Sequence, residues 1–308
     1  MDYKQAGVDI ERAENLTNLI KSKLNNSNIG KFAGIIEHPA FQDKILAATT
    51  DGIGSKIIPL LEKGDYKTIA TDLVAANLND LACSAAQPLF FLDYIATNKL
   101  DELKIAEFIE CLQLELQKYN CILLGGETSE LQDIIKDKLL DITGFAIGIA
   151  DKNQINRLKP IQKGDILLGL QSSGPHANGY TLIRKLFEQD LITKELFAES
   201  LKPSYNYINE VTNLFNHNTI KACANITGGG IQANVNRIMP SNLKACIDRS
   251  LLPKTIFFEE LKNIVGTEEA YNVFNMGIGM VLVLESTNLT AVSDICGAYN
   301  PVIIGEIR

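Results

Sequence analysis

Apolar runs of strand length alternate along this chain with segments of helical periodicity, and several junctions between them carry glycine beside a carboxylate or a hydroxyl group. In open α/β folds, ligands bind at strand ends of this kind. The pattern therefore predicts an α/β (α+β) fold with its site at these junctions. Strands are predicted at residues 44–49, 88–96, 121–124, 139–150 and 165–170, and helices at residues 67–85 and 100–119.

The length of 308 residues is too great for one ordinary core and suits two domains of about 150 residues each. The segment DKNQINRLKPIQKG at residues 151–164 is polar and contains a proline, so it is a candidate hinge. We predict two mixed α/β domains, residues 1–156 and residues 157–308.

Composition and charge exclude several classes of function. The net charge is −8 and the basic residues are scattered, so we expect no nucleic-acid partner. No apolar run reaches the roughly 20 residues that cross a bilayer, and the first residues lack the pattern of a signal peptide. We therefore expect no membrane partner and a cytoplasmic protein. The six cysteines form no CxxC pair, which indicates reduced structural thiols.

The segment TDGIGSK follows the first predicted strand and places Asp51 and Gly52 just before Lys56. Backbone N–H groups beside glycine can approach phosphate oxygens, and a carboxylate can hold the accompanying Mg²⁺. The Walker A pattern is absent. A simple Asp-Gly turn is the alternative interpretation.

The predicted helix at residues 67–85 carries Asp72, Asn79 and Asp80 among apolar residues. Asp72 and Asn79 lie about two turns apart and share a face, whereas Asp80 points about 100° away. Such side chains are costly to bury without a partner. They indicate either a ligand site or, alternatively, helix capping by Asp72 and solvent exposure of Asp80.

Two further carboxylates adjoin apolar strands. In GGETSE, the residues Gly125, Gly126 and Glu127 follow the predicted strand at residues 121–124, where Glu127 could bind a metal or cap a turn. Asp93 lies inside FFLDYIA, and a carboxylate buried there needs a partner. An exposed strand face is the alternative for Asp93.

The segments SSGPHANG and TGGG are rich in small residues and precede predicted helices. The N–H groups and dipole of a helix N-terminus favour phosphate, although structural turns use glycine as well. Two such turns in one domain suggest a phosphorylated small molecule. The candidate substrate-binding residues are Ser172, Ser173, Gly174, His176, Asn178, Thr227, Gly228, Gly229 and Gly230.

These motifs, taken in order, resemble those of the aminoimidazole ribonucleotide synthetases, also called phosphoribosylformylglycinamidine cyclo-ligases. The similarity covers essentially the whole chain. It is carried by YKQAGVDI, TDGIGSK, DLVAANLNDL, PLFFLDYIA, GGETSE, SSGPHANGY, TGGG and FNMGIGM.

The resemblance implies a homodimer whose N-terminal sheets pair, with ATP in a dimer-related cleft of the N-terminal domain and the substrate at the C-terminal domain. It implies Mg²⁺ held by Asp51, Asp72 and Asp80, and catalytic roles for His176, Asp51 and Asp93. Its nucleotide-binding positions correspond to Lys21, Asp51, Gly52, Lys56, Asp72, Asn79, Asp80, Gly125, Gly126 and Glu127.

The implied reaction uses ATP to phosphorylate the formamide oxygen of formylglycinamidine ribonucleotide. Ring closure then gives aminoimidazole ribonucleotide, ADP and phosphate. Within this reaction His176 is assigned to substrate positioning or proton transfer. A related small-molecule kinase resembling thiamine-phosphate kinase, and a catalytically silent nucleotide-binding subunit, are the alternatives.

Four departures from the family pattern predict a divergent substrate pocket. NIGKFAGI has only Gly30 and Gly34 where the family has more glycine, and GGETSELQD lacks the usual Met-Pro-Gly. Asn225 replaces the usual histidine before TGGG and cannot shuttle a proton. Tyr205 stands at the place of an arginine that could pair with an anion.

Overall fold

The computed structural model describes residues 2–24 and 30–308, so Asn28 and Ile29 of the segment NIGKFAGI lie outside the described residues. The strands are β1 Gly34–Ile36, β2 Lys44–Gly52, β3 Gln87–Thr97, β4 Ile122–Glu130, β5 Leu140–Asp151, β6 Ile166–Gln171, β7 Ala222–Asn225, β8 Ala245–Ile247, β9 Ile278–Leu284 and β10 Val302–Ile307. The helices are α1 Ile10–Leu24, α2 Ile57–Lys63, α3 Tyr66–Ala82, α4 Glu102–Gln117, α5 Lys152–Ile155, α6 Tyr180–Glu188, α7 Lys194–Ser200, α8 Ile208–Asn216, α9 Gly230–Asn236, α10 Ile256–Val265, α11 Thr267–Val273 and α12 Leu289–Ile295.

The first sheet has the strand order β1-β2-β5-β3-β4, and only its β3–β4 pair is parallel. Along β2 the buried residues alternate, so Ile45, Ala47 and Thr49 point to the face on which α3 packs. The register places Asp51 opposite Gly144 and Gly144 opposite Asp93. Because directly opposed residues share a face, both carboxylates lie on the side of α3.

The second sheet is antiparallel throughout, with the order β7-β9-β6-β10-β8. Strand β9, between β7 and β6, is buried along its whole length, and α8 adds Val211, Leu214 and Phe215 to the core. The fold is therefore the mixed α/β architecture with two sheets that the alternating pattern predicts. In the described residues, no helix has both the length and the apolar composition of a membrane span.

Helix α3 is buried on nearly all sides because it packs between the first sheet and the C-terminal half of the chain. Its N-cap is Asp65, whose side chain accepts a hydrogen bond from the backbone N–H of Thr68. Asp72 lies within the helix, and Asp80 is buried. The structure therefore contradicts both the capping role for Asp72 and the exposure of Asp80.

The largest difference from the predicted elements concerns GGETSE. We predicted a strand ending at residue 124, but β4 continues through Glu130 because β3 offers a parallel partner along its length. Alternate residues of a strand face opposite sides of the sheet. Gly126 therefore shares the face of Asp93, and Glu127 is exposed on the opposite face beside Tyr94.

Candidate active site between the two halves of the chain

A cavity of about 410 Å³ lies where the two halves of the chain meet. One wall is formed by the end of β2, the turn that follows it and part of α3, which contributes Asp72, Ala75, Ala76 and Asn79. The opposite wall comes from residues 176–178 and 225–227. The cavity is thus lined both by the acidic segments of the first half and by the small-residue loops of the second half. Its lining includes Asp51, Asn178 and Thr227.

Near the C-terminal end of β2, the backbone of Asp51 is fixed by Asn77, a buried asparagine that was not predicted from the sequence. The side chain of Asn77 accepts from the backbone N–H of Asp51 at 3.1 Å and donates to its carbonyl at 3.1 Å. The Asp51 carboxylate accepts the N–H of Gly52 at 2.8 Å. Burial raises the pKa of Asp51, and neither the Gly52 N–H nor the positive charge of Arg237 fully offsets it.

Asp80 is a buried carboxylate of this region, whereas Asp51 is half-buried. Its Oδ1 accepts a hydrogen bond from Asn225 Nδ2 at 2.8 Å, which connects α3 to the end of β7. Burial raises the pKa of Asp80 to about 7, and the nearby charge of Asp51 contributes to the rise. Asn225 therefore positions the Asp80 carboxylate.

The pKa values of Asp51 and Asp80 are both raised, so a cation bound near either carboxylate would stabilise its charged form. In the part of the chain that is described, no group of three or more His, Cys, Asp or Glu side chains converges on one point. Mg²⁺ often uses only one or two protein carboxylates and completes its shell with water and substrate phosphates. Asp51 and Asp80 therefore fit a phosphate-bound Mg²⁺ better than a closed metal site.

Asp93 lies on the same face as Asp51, with Gly144 between them in the sheet. A β-carbon at Gly126 would collide with the Asp93 carboxylate, so the second glycine of GGETSE makes room for that side chain. Burial raises the pKa of Asp93 to about 6. The alternative of an exposed Asp93 is therefore wrong, since the side chain is buried.

Asp93→Asn is expected to raise the free energy of unfolding at pH 8 by about 1 kcal/mol after solvent screening, with little effect near pH 4. Asp93 has a higher pKa in the folded chain than in the unfolded chain. Burial of the charged form therefore lowers stability as the pH rises from about 4 to about 6. Urea unfolding of both proteins across this range measures the effect.

The exposed Asp133→Asn change is the control for Asp93→Asn, because it removes the same charge from a solvated loop. We expect Asp133→Asn to cause no pH-dependent gain in the free energy of unfolding. A loss of stability at pH 8 in Asp93→Asn would contradict the burial argument.

Lys56 and Asp72 are used differently from the prediction that they bind ATP and Mg²⁺. Both side chains are 0% exposed, and Lys56 Nζ lies 2.8 Å from Asp72 Oδ2. Lys56 also donates to the carbonyl of Lys202 at 2.7 Å, and Asp72 Oδ1 accepts from the N–H of Ser204 at 2.7 Å. The pair therefore joins the two halves of the chain, while Asp72 also lines the cavity.

Asn79 also serves the interface. Its side chain accepts from the N–H of Tyr207 at 2.8 Å and donates to the carbonyl of Tyr205 at 3.0 Å. It thus binds the segment that includes the departure from the family pattern at Tyr205. Asn79 also lines the cavity, so its contact with a nucleotide stays a prediction.

His176 lines the cavity but is buried and fixed. Its Nε2 lies 3.4 Å from each of the N–H groups of Ser173 and Tyr205, which donate to it. Burial, assisted by the positive charge of Lys56, lowers the pKa of His176 to about 3. The geometry favours substrate positioning by a neutral imidazole over proton uptake at Nε2.

The predicted substrate-binding residues divide among different surfaces. His176, Asn178 and Thr227 line the cavity between the halves. A separate cavity, of about 480 Å³, is lined on one side by Ser172, Ser173 and Gly174. A third cavity includes Gly229. Only part of SSGPHANG and part of TGGG therefore line the cavity that contains Asp51.

Two buried asparagines missed in the sequence hold these loops. Asn234 donates to the carbonyls of Thr227, Gly228 and Gly230 at 3.2, 3.2 and 2.9 Å. Asn275, in FNMGIGM, donates to the carbonyl of Gly174 at 2.9 Å. Their only signal in the sequence was an amide among small and apolar residues.

Two predicted nucleotide-binding elements lie outside the cavity. The Lys21 side chain, at the end of α1, lies against Gly30. Gly125 and Glu127 are on the edge strand β4, and Glu127 faces away from Asp51 and Asp80. One copy of the chain therefore does not bring Glu127 to the carboxylate pair.

Comparison with known proteins identifies the family. A family model described as AIR synthase related protein, N-terminal domain, matches residues 30–150, and its C-terminal counterpart matches residues 162–308. A phosphoribosylformylglycinamidine cyclo-ligase of Clostridium botulinum (strain 657 / Type Ba4) is 39% identical over 294 residues, which are 92% of this chain and 88% of the relative. The chain belongs to the phosphoribosylformylglycinamidine cyclo-ligase family.

A cyclo-ligase of Clostridium perfringens (strain 13 / Type A) is 38% identical over 305 residues, covering 95% of this chain and 92% of the relative. The resemblance carried by the motifs is thereby confirmed. The chain is an enzyme of the cyclo-ligase type, and these relatives support ring closure in purine biosynthesis.

Solved structures with lower sequence identity share the fold. The structure titled HypE-HypF complex has a TM-score of 0.71 at 16% identity and covers 95% of this chain and 92% of its own. The structure titled AaThiL complexed with AMPPCP and TMP has a TM-score of 0.67 at 16% identity and covers 95% and 89%. At this identity the likeness concerns architecture alone.

Proposed function

We propose that the chain uses ATP and Mg²⁺ to close the imidazole ring of formylglycinamidine ribonucleotide, with release of ADP and phosphate. The observation that carries this proposal is the half-buried carboxylate of Asp51 in a cavity whose other wall holds Asn178 and Thr227, with the buried Asp80 joined to that wall through Asn225. A structural neighbour titled as HypE in complex with ATP supports nucleotide use by the fold.

In the proposed site Asp51 and Asp80 hold Mg²⁺, which neutralises charge on the phosphates when it is bound. Asn77 fixes the backbone of Asp51, and Asn225 fixes the Asp80 carboxylate. Neither carboxylate has to reorganise when the nucleotide arrives. Such preorganisation is the main contribution of a protein to phosphoryl transfer.

The second half of the proposed site orients the acceptor. Asn178 and Thr227 offer amide and hydroxyl groups to the ribonucleotide, and neutral His176 keeps the loop in place. Phosphorylation turns the formamide oxygen into a leaving group. The amidine nitrogen attacks the same carbon, phosphate departs with the electrons of the broken C–O bond, and the nitrogen loses a proton.

The test is simultaneous measurement of ADP and aminoimidazole ribonucleotide, with ATP and Mg²⁺, in the presence and absence of formylglycinamidine ribonucleotide. Equal amounts of both products, dependent on the substrate, are expected. ADP formation with thiamine phosphate instead would favour the kinase alternative. Nucleotide binding without either product would favour the silent subunit.

We also propose a homodimer in which the first sheets pair. The face of this sheet opposite α3 is apolar and exposed, and it includes Ile36, Tyr94, Ile122 and Phe145. A cluster of exposed apolar side chains on one face of a sheet typically marks an interface. Glu127 lies on the same face, so pairing would bring it toward a nucleotide in the dimer-related cleft.

Phe145→Lys is expected to convert the dimer to a monomer, because it places a charge in the centre of the exposed face. Light scattering after gel filtration should give twice the chain mass for the unmodified protein and the chain mass for the variant. Leu103→Lys, on an exposed position of α4, is the control and should stay dimeric. A monomeric unmodified protein would contradict the proposal.

A further inference from the structure

Asp141 lies at the start of β5 and lines the cavity between the two halves of the chain. The neighbouring strand β2 ends at Gly52, opposite Thr143, so Asp141 lies beyond the end of that strand. Thr143 lines the cavity as well. Because alternate residues of β5 face opposite sides of the sheet, Asp141 and Thr143 lie on the face away from Asp51. The cavity therefore continues round the end of β2.

The carboxylate of Asp141 is free, unlike the other carboxylates of the cavity. Asp51 and Asp72 also line it, but Asp72 is paired with Lys56, and Asp51 is assigned above to Mg²⁺. The Asp141 side chain is exposed, and among the described residues it accepts no hydrogen bond and forms no ion pair. No lysine or arginine of the described chain lines this cavity. A positively charged group of a ligand would therefore be stabilised at Asp141.

The spacing along β5 separates Asp141 from the candidate metal site. Asp141 is three residues from Gly144, which is the residue opposite Asp51. At about 3.3 Å per residue this offset is roughly 10 Å, and the two side chains point to opposite faces. The ligands of Mg²⁺ lie only about 2.1 Å from the ion, so Asp51 and Asp141 cannot share one. Asp141 is thus available to a different part of the bound ligands.

The proposed substrate carries a group that suits this position. An amidine is protonated near neutral pH, and the amidinium group is planar with parallel N–H bonds. Carboxylates accept such pairs of hydrogen bonds in a bidentate arrangement. The formamide must meet the γ-phosphate near Asp51, and a single methylene group separates the formamide from the amidine. The amidine therefore faces the wall of the cavity to which Asp51 and Asp141 both belong.

We propose that Asp141 binds the amidinium group of the substrate and thereby selects the amidine over the corresponding amide. This inference rests on the proposed function. In the amide an oxygen replaces one NH group, so the positive charge is lost and an acceptor faces the carboxylate. An unpaired acceptor of this kind weakens binding of the wrong ligand as well as favouring the right one.

Two other roles for Asp141 predict different results. A second Mg²⁺ held by this carboxylate would strengthen nucleotide binding. Asp141 shares the face of Phe145, so contact with the partner in the proposed dimer would instead affect the oligomeric state. Neither role distinguishes an amidine from an amide.

The experiment compares Asp141→Asn and Asp141→Glu with the unmodified protein. Asp133→Asn is the matched control, because it removes the same charge from an exposed residue that does not line this cavity. Calorimetry measures the Kd of formylglycinamidine ribonucleotide and of formylglycinamide ribonucleotide, its neutral amide counterpart. Both are measured with Mg²⁺ and a methylene-bridged ATP analogue, which prevents turnover. The Kd of the analogue, the mass in solution and product formation from ATP are measured on the same proteins.

The unmodified protein and Asp133→Asn should bind the amidine at least about 10-fold more tightly than the amide. In Asp141→Asn the two Kd values should come within about 3-fold of each other, through weaker binding of the amidine. Asp141→Glu keeps a carboxylate and should recover part of the preference. The Kd of the ATP analogue and the mass in solution should be unchanged in all variants.

An unchanged preference for the amidine in Asp141→Asn would overturn the proposal. Weaker binding of the ATP analogue would then assign Asp141 to a second cation, and a monomeric variant would assign it to the dimer interface. Equal affinities for amidine and amide in the unmodified protein would also overturn it. Failure of the proposed function has a separate signature, because the unmodified protein then makes no aminoimidazole ribonucleotide. Failure of the Asp141 assignment alone leaves that product.

Discussion

Asp51→Asn is expected to lower kcat for substrate-dependent ADP formation by about 1000-fold. Asparagine keeps the shape of the side chain and can still accept the N–H of Gly52, so the local backbone should be unchanged. What is lost is one of the two negative charges that the proposed Mg²⁺ needs. The concentration of Mg²⁺ required for tight ATP binding should therefore rise as well.

Asp190→Asn is the control for this substitution. Asp190 is an exposed turn residue with φ of 56°, a left-handed conformation that asparagine tolerates well. It removes the same charge far from the cavity and should leave kcat and the Mg²⁺ dependence unchanged. Normal turnover in Asp51→Asn would contradict the proposal that Asp51 holds Mg²⁺. The role of Asp80 would then need its own substitution.

Lys56→Met is expected to destabilise the protein by about 3–5 kcal/mol, because it leaves the buried carboxylate of Asp72 without its cation. The lost hydrogen bond to the carbonyl of Lys202 adds to the cost. Since these contacts connect the two halves of the chain, unfolding in urea should begin at a lower concentration. Nucleotide affinity should be unchanged under conditions where the variant is folded.

The double variant Lys56→Met with Asp72→Asn separates charge from packing. The amide oxygen can still accept the N–H of Ser204, but no charge remains buried. Most of the stability lost in Lys56→Met should therefore return. If Lys56→Met instead weakened ATP binding with little change in stability, the interdomain role would be wrong and the nucleotide role suggested by the motif would be right.

Most of the secondary structure followed from local pattern. The helical spacing at residues 67–85 and the apolar strand at residues 88–96 correspond to α3 and β3 with shifts of one to three residues at their ends. The spacing of apolar side chains is fixed by the sequence, so it is the same before and after folding and predicts the helix or strand that buries them. The end of β4 was misplaced because glycines suggest a turn, whereas pairing with β3 keeps them in a strand.

The order of the motifs along the chain was sufficient to predict the family and the types of residue in its site. Asp51 and Asp80 could be singled out because a carboxylate among apolar residues needs a partner. The roles of Asn77, Asn234 and Asn275 could not. An asparagine can cap a turn, bind a ligand or hold a distant loop, and only its neighbours decide which.

The sequence by itself determined the mixed α/β fold, the family and the acidic and glycine-rich segments from which a site could be built. The tertiary structure decided which of those segments meet. Lys56 has its hydrogen-bond acceptor 146 residues away, and Asn225 reaches Asp80 across 145 residues. Such contacts depend on how α3 packs against the second half of the chain. Local spacing records the periodicity of each element but carries no information about that packing.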